Sequence, residues 1–158
     1  MKNILFTSLL AVIFAGSVHA QIKLPRGSFE VKDIEKAAAM AQRKKVPIAF
    51  FYAYLDVDCP RIKAGTTGML EGAGNRPVVV HVTTDSYKTS LKGCTPEAKK
   101  ALQKGYPLLV VMDPEMKTEL CVMPYIEYVK DPKKNMNVIK KAVRSYRAPA
   151  VAPKKADA

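Results

Sequence analysis

A cysteine flanked by carboxylates is the part of this sequence most suited to chemistry. Cys59 follows Asp56 and Asp58, precedes Pro60, and comes after the apolar, aromatic-rich run 48–54. That run predicts a buried strand, and a proline such as Pro60 favours the first position of a helix. A thiol between a strand and a helix N-terminus lies near unpaired amides and the positive end of the helix dipole, which stabilise a thiolate. The segment therefore indicates thiol chemistry.

The charges around Cys59 oppose each other. The helix terminus favours the thiolate by about 0.3–1 kcal/mol, whereas ionised Asp56 and Asp58 disfavour a second negative charge by a comparable amount. Arg61 is close enough in sequence to offset one carboxylate. We therefore expect no strongly activated thiolate, and a structural or bridged Cys59 is favoured over a catalytic one.

Metal and cofactor motifs are weak. Asp56, Asp58 and His81 are residue types that bind divalent ions, but His81 falls inside a valine-rich strand and has no paired ligand at short spacing. The sequence contains no Ser/His/Asp arrangement and no phosphate-binding glycine loop. We predict neither a metal nor a cofactor.

The first twenty residues have the features of a secretory signal peptide. Lys2 supplies a positive charge, residues 4–15 are apolar, and residues 18–20 form a small-residue cleavage site before Gln21. We expect residues 1–20 to be removed and the protein to be exported, to the periplasm or outside the cell. No later stretch is long and apolar enough to predict a transmembrane segment.

Three cysteines remain after this leader: Cys59, Cys94 and Cys121. In an oxidising compartment one pair can be bridged, which leaves the third thiol free or paired with a partner. The sequence alone does not choose among the three possible pairings.

The basic charge is concentrated near the C-terminus. The chain has a formal net charge of +12, and residues 128–158 contain nine lysines and arginines against two aspartates. A basic helix and tail can contact an anionic surface, although a solvated helix face is the simpler interpretation. No aromatic-and-basic motif for stacking bases is visible, so we predict no nucleic-acid partner.

Hydrophobic periodicity predicts one domain over residues 21–147, followed by a disordered Ala/Pro/Lys tail at 148–158. Two strands joined through a helix should be parallel, and the last two form an antiparallel hairpin. The prediction is an α/β fold with a mixed, four- to five-stranded sheet and helices on both faces. The predicted helices lie at about 33–45, 60–72, 95–104 and 131–147, and the strands at 48–54, 77–83, 108–112 and 118–123.

The order of these elements resembles the thioredoxin superfamily, in particular exported bacterial thioredoxin-like proteins. The strand before Cys59 and the hairpin followed by an amphipathic helix both carry the resemblance. Gly105-Tyr106-Pro107 is similar to the cis-proline site of the family. The resemblance covers residues 31–147 and implies a three-layer sandwich in which Tyr106 and Pro107 bind an extended peptide.

The resemblance also implies where the remaining side chains lie. The segment around Cys94 and the strand of Cys121 are expected toward opposite edges of the sheet, so a bridge between them would be surprising. Independently of the resemblance, Tyr125 and Tyr128, with Ile126 between them, are expected to pack in the core rather than to form a ligand platform.

The sequence departs from the family at the cysteine loop. Members active as dithiol oxidoreductases carry two cysteines separated by two residues. In one register Asp56 stands at the position of the nucleophile and Cys59 at that of the resolving cysteine, but a carboxylate cannot attack a disulfide. In the other register Cys59 caps the helix as the nucleophile, and Ile62 replaces the resolving thiol. The dithiol is absent in both.

Three hypotheses of function follow. The first is a binding or accessory module that holds a protein or peptide partner in the groove between the Asp56–Cys59 loop and Tyr106-Pro107. The second is a monothiol oxidoreductase or redox sensor that uses Cys59, so enzymatic activity stays open. The third is contact with anionic surfaces through the basic C-terminal helix.

Overall fold

The computed structural model describes residues 21–83 and 95–147. The predicted signal peptide at 1–20, the polar loop at 84–93, Cys94 and the predicted tail at 148–158 lie outside the described residues.

Five strands form one mixed sheet in the order β1-β3-β2-β4-β5. β1 runs parallel to β3 and β3 parallel to β2, whereas β4 is antiparallel to both β2 and β5. The predicted mixed sheet is confirmed, and β1 forms in a segment where the sequence predicted no strand. The strands are β1 (Phe29–Glu30), β2 (Ile48–Tyr52), β3 (Val78–Val82), β4 (Leu108–Met112) and β5 (Glu119–Pro124).

Three of the five α-helices in the described residues begin with a proline, as the sequence predicts at Pro60. Thr95 and Asp131 cap two of them, because their side-chain oxygens accept from the backbone N–H groups of Ala98 and Lys134. No helix in the described residues has the length and apolarity needed to cross a bilayer. The helices are α1 (Ile34–Lys44), α2 (Pro60–Ala73), α3 (Pro96–Gln103), α4 (Tyr125–Tyr128) and α5 (Pro132–Ser145).

The core lies on both faces of the sheet, because neighbouring side chains of a strand point to opposite sides. In β2, Phe50 packs with α1 and α3, while Phe51 packs with α2, α4 and α5. Each of the strands β2, β3 and β4 has five residues, all of which are buried. Helices on both faces are therefore confirmed, and they explain why these strands are almost continuously apolar.

Glycines in α2 allow the C-terminal helices to approach closely. A Cβ atom at Gly65 would lie 2.5 Å from the Tyr125 ring, and one at Gly68 would meet the Tyr128 hydroxyl. Tyr128 is buried and Tyr125 packs against the same cluster. The low helix propensity of α2 is thus linked to close packing with α4. The expectation of core packing is confirmed for Tyr128, whereas Tyr125 is half-buried and packs against the edge of the same cluster.

The expected separation of the Cys94 region from β5 is wrong. The Thr95 hydroxyl, at the start of α3, is hydrogen-bonded to the carboxylate of Glu119 in β5. α3 packs against β4 and β5, at the β5 edge of the sheet, rather than at the opposite edge formed by β1. Because α3 covers this edge, Thr95, the residue next to Cys94, lies beside β5. The Cys121 side chain packs on the opposite face, with the cluster of α2 and α5.

Candidate functional site

The loop that carries Cys59 leaves the sheet earlier than predicted. β2 ends at Tyr52, where the strand is paired with Val82 on one side and Leu108 on the other. The residue before Leu108 is Pro107, which has no N–H to continue the ladder. The connection to α2 therefore runs over seven residues, from Ala53 to Cys59.

Side chains of this loop alternate between the core and solvent. Leu55 and Val57 pack against the cluster beneath α2. Tyr54, Asp56 and Asp58 are exposed. The alternation directs the aromatic ring and both carboxylates to the surface on which Cys59 lies.

Two distant residues bind the backbone of the loop. The buried residue Ile22 donates its N–H to the Leu55 carbonyl at 3.1 Å. His81, only 6% exposed, places Nε2 2.9 Å from the Ala53 carbonyl. Because a carbonyl accepts only, Nε2 carries the proton and donates. The two contacts fix the loop at the end of β2.

His81 therefore has a structural role in the loop, because its Nε2 donates to the Ala53 carbonyl. Among residues 21–83 and 95–147, no group of three or more His, Cys, Asp or Glu side chains is arranged to hold a metal ion.

Cys59 is the N-cap residue of α2 and carries an exposed, free thiol. Its backbone is extended, as favoured for a residue before proline, and its carbonyl accepts the Lys63 N–H at 3.0 Å. The cap position is the one that the second register requires. Whether Asp56 or Cys59 corresponds to the family nucleophile stays a prediction.

Cys121 has the opposite environment. Its thiol is free and half-buried in β5. Burial raises the pKa of this thiol from 9.0 to about 11, and the nearby Glu119 carboxylate adds to the rise. Cys121 is therefore a neutral thiol at physiological pH, and Cys59 is the more accessible of the two described thiols.

Tyr106 and Pro107 meet the cysteine loop at the same end of the sheet. The peptide bond between them is cis, and the Pro107 carbonyl accepts the Tyr125 N–H at 2.9 Å. The Tyr106 ring meets the Tyr54 ring edge to face, with centroids 5.9 Å apart. The structure thus brings Tyr106 and Pro107 next to the loop that ends at Cys59.

An exposed apolar surface continues from this contact along α4. Tyr54 and Ile126 are each 52% exposed, and Val129 is 42% exposed. Ile126 and Tyr106 line one small cleft, Val129 lines a larger one of about 610 Å³, and Tyr125 lines both. We call these five residues, Tyr54, Tyr106, Tyr125, Ile126 and Val129, the tyrosine surface.

Of the tyrosine surface, sequence reasoning identified Tyr106 but not the other four residues. The run 124–129 contains more apolar residues than one face of a four-residue helix can bury. That excess is the signal that indicates an exposed apolar patch.

The basic helix α5 has one buried and one exposed face. Ile139 and Val143 are buried against the sheet, while Lys133, Lys141 and Arg144 are exposed. A solvated outer face accounts for this pattern, and contact with an anionic surface stays a prediction.

Comparison of this chain with known proteins finds no family model that matches and no curated protein with significant similarity.

Proposed function

We propose that this protein is an exported thioredoxin-like domain that binds an extended segment of a partner protein. The strand order β1-β3-β2-β4-β5, with β4 antiparallel to its neighbours, supports the thioredoxin-like assignment. The cis bond before Pro107 and the position of Cys59 at the start of α2 support it further. Residues 1–20 supply the argument for export.

The observation that carries the binding proposal is the contact between Tyr54 and Tyr106. This contact joins the cysteine loop to the cis-proline loop, and the tyrosine surface extends the joined surface along α4. Exposed aromatic residues are typical of protein recognition surfaces because they bury a large area with few rotatable bonds. We therefore expect the partner to present apolar side chains, and the resemblance to thioredoxin-like proteins implies that its backbone is extended.

The loop chemistry favours binding over dithiol exchange. The Ala53–Cys59 loop contains one thiol, and Ile62 in the first turn of α2 supplies no second one. A single thiol cannot complete the intramolecular exchange by which a dithiol releases its product.

Binding is tested with a library of fluorescent extended peptides and two single variants, Tyr54→Ala and Tyr106→Ala. Each truncation should weaken the best peptide by roughly thirtyfold, because central aromatic residues cost about 2 kcal/mol when truncated. Val138→Ala is the matched control, since Val138 is 42% exposed but lies on α5. Equal affinity of the tyrosine variants and the control would contradict the proposal, as would a library without any bound peptide.

Monothiol exchange at Cys59 is the second candidate, favoured by the exposed thiol at a helix N-terminus. The Cys59 thiolate would attack one sulfur of a partner disulfide, forming a mixed disulfide and releasing the other sulfur as a thiolate. An external thiol would then attack the mixed disulfide and restore Cys59.

This candidate is tested in a Cys94→Ser background by alkylation and disulfide reduction at neutral pH. Alkylation of Cys59 faster than that of free cysteine, together with reduction that is lost in Cys59→Ser, would make exchange the leading function. Alkylation no faster than free cysteine and reduction unaffected by Cys59→Ser would eliminate it.

A further inference from the structure

Another cleft lies at the end of the sheet opposite the cysteine loop. Three segments form it: the turn 25–28, the C-terminal end of α1, and the connection from α2 to β3. Its volume is about 420 Å³, within the range of roughly 300–1,000 Å³ typical of small-molecule sites. The tyrosine surface shares no residue with it.

The cleft is lined by three cations and no carboxylate. Arg26, Lys44 and Arg76 line it, and its other lining residues are neutral. Within the described part of the chain, neither Arg26 nor Lys44 has an ion pair or a side-chain hydrogen bond. Lys44 at the end of α1 complements the helix dipole, but this effect does not account for Arg26 in the facing turn.

Arg76 is positioned by the rest of the fold. Its two terminal nitrogens donate to the Arg144 and Tyr146 carbonyls, both at 3.2 Å. A guanidinium has five N–H donors, so three are left for a ligand. Asn75 lines the cleft beside it, and its amide makes no hydrogen bond to the described residues. The charge of Arg76 is therefore held in place while donors stay available.

The cleft also has an apolar side. Met40 of α1 and Pro77 before β3 contribute to its lining. A ligand that fills the cleft therefore combines an anionic group with an apolar one, because a bare inorganic ion would leave these surfaces uncovered.

We propose that this cleft binds a small organic anion, with its phosphate or carboxylate group paired to Arg26, Lys44 and Arg76 and its apolar part against Met40 and Pro77. Binding is electrostatic in part and weakens as salt is raised. The site is independent of peptide binding at the tyrosine surface.

Phenyl phosphate, benzoate, inorganic phosphate and phenol are the probes, used in calorimetric titrations of the mature chain. We expect saturable binding of phenyl phosphate or benzoate and much weaker binding of inorganic phosphate and phenol. Tighter binding of phenyl phosphate assigns a phosphate group to the ligand, and tighter binding of benzoate assigns a carboxylate.

The double variant Arg26→Gln/Lys44→Gln should bind the preferred probe roughly tenfold more weakly, because two charge-assisted contacts are lost. Arg43→Gln is the matched control, since Arg43 lies in the last turn of α1 but does not line the cleft. Arg26→Lys/Lys44→Arg should retain most of the affinity, which separates the charge requirement from a packing effect.

Amide NMR shifts locate the bound probe. Shifts at Gly27 and Asn75, without shifts at Tyr54 and Cys59, would support the proposal. Binding unaffected by Arg26→Gln/Lys44→Gln, shifts confined to the tyrosine surface, inorganic phosphate bound as tightly as phenyl phosphate, or no saturable binding at all would each overturn it.

Discussion

The two described thiols differ in accessibility because one is buried and the other is exposed. Both Cys59 and Cys121 lie within three residues of a carboxylate. Cys59 at the surface is accessible to a partner, whereas Cys121 packs against the core and holds its proton. Burial in the fold therefore decides which of the two is available for chemistry.

The raised pKa of Cys121 predicts a stability loss in alkaline solution. Folding raises this pKa from 9.0 to about 11, so between these values the unfolded chain loses the proton while the folded protein keeps it. The free energy of unfolding should fall as pH rises through this window, by about 2–3 kcal/mol in total. Urea denaturation at several pH values measures the slope.

Cys121→Ala should flatten that slope, because the variant lacks the buried thiol whose pKa folding raises. A slope that is the same in Cys121→Ala as in the parent protein would refute the assignment.

The hydrogen bond between His81 and Ala53 predicts that removing its donor destabilises the cysteine loop. His81→Leu leaves the buried Ala53 carbonyl without its donor, which should lower the free energy of unfolding by about 1–3 kcal/mol. Amide hydrogen exchange in residues 53–59 should become faster. His81→Gln retains an N–H donor and serves as the control. Equal exchange rates in the Leu and Gln variants would show that the hydrogen bond does not hold the loop.

The sequence predicted part of this site. Cys59 as a helix cap followed from Pro60, because the constraint before a proline is local. The role of His81 depends on the pairing of β2 with β3, and Tyr54 faces Tyr106 only because β2 pairs with β4. The residue pattern within a strand does not indicate which other strands it will pair with.

At the level of elements, α2 is held by packing more than by propensity. Gly65, Gly68 and Gly72 lower its intrinsic helicity, and each faces a side chain of the α4–α5 region: Tyr125, Tyr128 and Ile139. Interactions with α4 and α5 therefore offset the weak local preference.

Gly68→Ala should destabilise the protein although alanine is the better helix former. The added methyl group meets the Tyr128 hydroxyl, and such overpacking costs about 1–3 kcal/mol, against a gain in propensity of about 1 kcal/mol. Thr67→Ala, an exposed neighbour on α2, should be neutral or stabilising. Chemical denaturation measures both.

Tyr128→Phe removes the obstructing oxygen and should reduce the cost of Gly68→Ala. Additive effects of the two substitutions would contradict this account, since coupled neighbours are expected to be non-additive.

The elements that the sequence predicted are those with a strong local pattern. Apolar runs located β2, β3 and β4, and prolines marked the starts of α2, α3 and α5. β1 and α4 were not predicted, because two and four residues are too few to show a period. Both are stabilised by partners that are distant in sequence. β1 pairs with β3, and α4 begins where the Tyr125 N–H donates a hydrogen bond to the Pro107 carbonyl.

At the scale of the whole molecule, one sheet joins two half-cores. Leu102 of α3 belongs to the cluster on one face, and Ile139 of α5 to the cluster on the other. Because β2, β3 and β4 contribute to both clusters, neither half-core can be lost while the sheet stays intact.

Leu102→Ala and Ile139→Ala should therefore each lower one shared thermal transition. Truncation of a buried Leu or Ile costs about 2–5 kcal/mol, which corresponds to a decrease of roughly 5–15 °C in Tm. Circular dichroism and tyrosine fluorescence should give the same midpoint in each variant. Val138→Ala, exposed on α5, is the control. Two separate midpoints in either variant would show that the faces unfold independently.

The glycine-rich face of α2 also has a consequence for the order of events during synthesis. A polypeptide emerges N-terminus first, so residues 60–73 are complete before α4 and α5 exist. A short helix with several glycines is marginal without tertiary partners. Until the last helix has been made, Cys59 therefore lacks the finished helix terminus that sets its surroundings, and its final reactivity is acquired only when the chain is nearly whole.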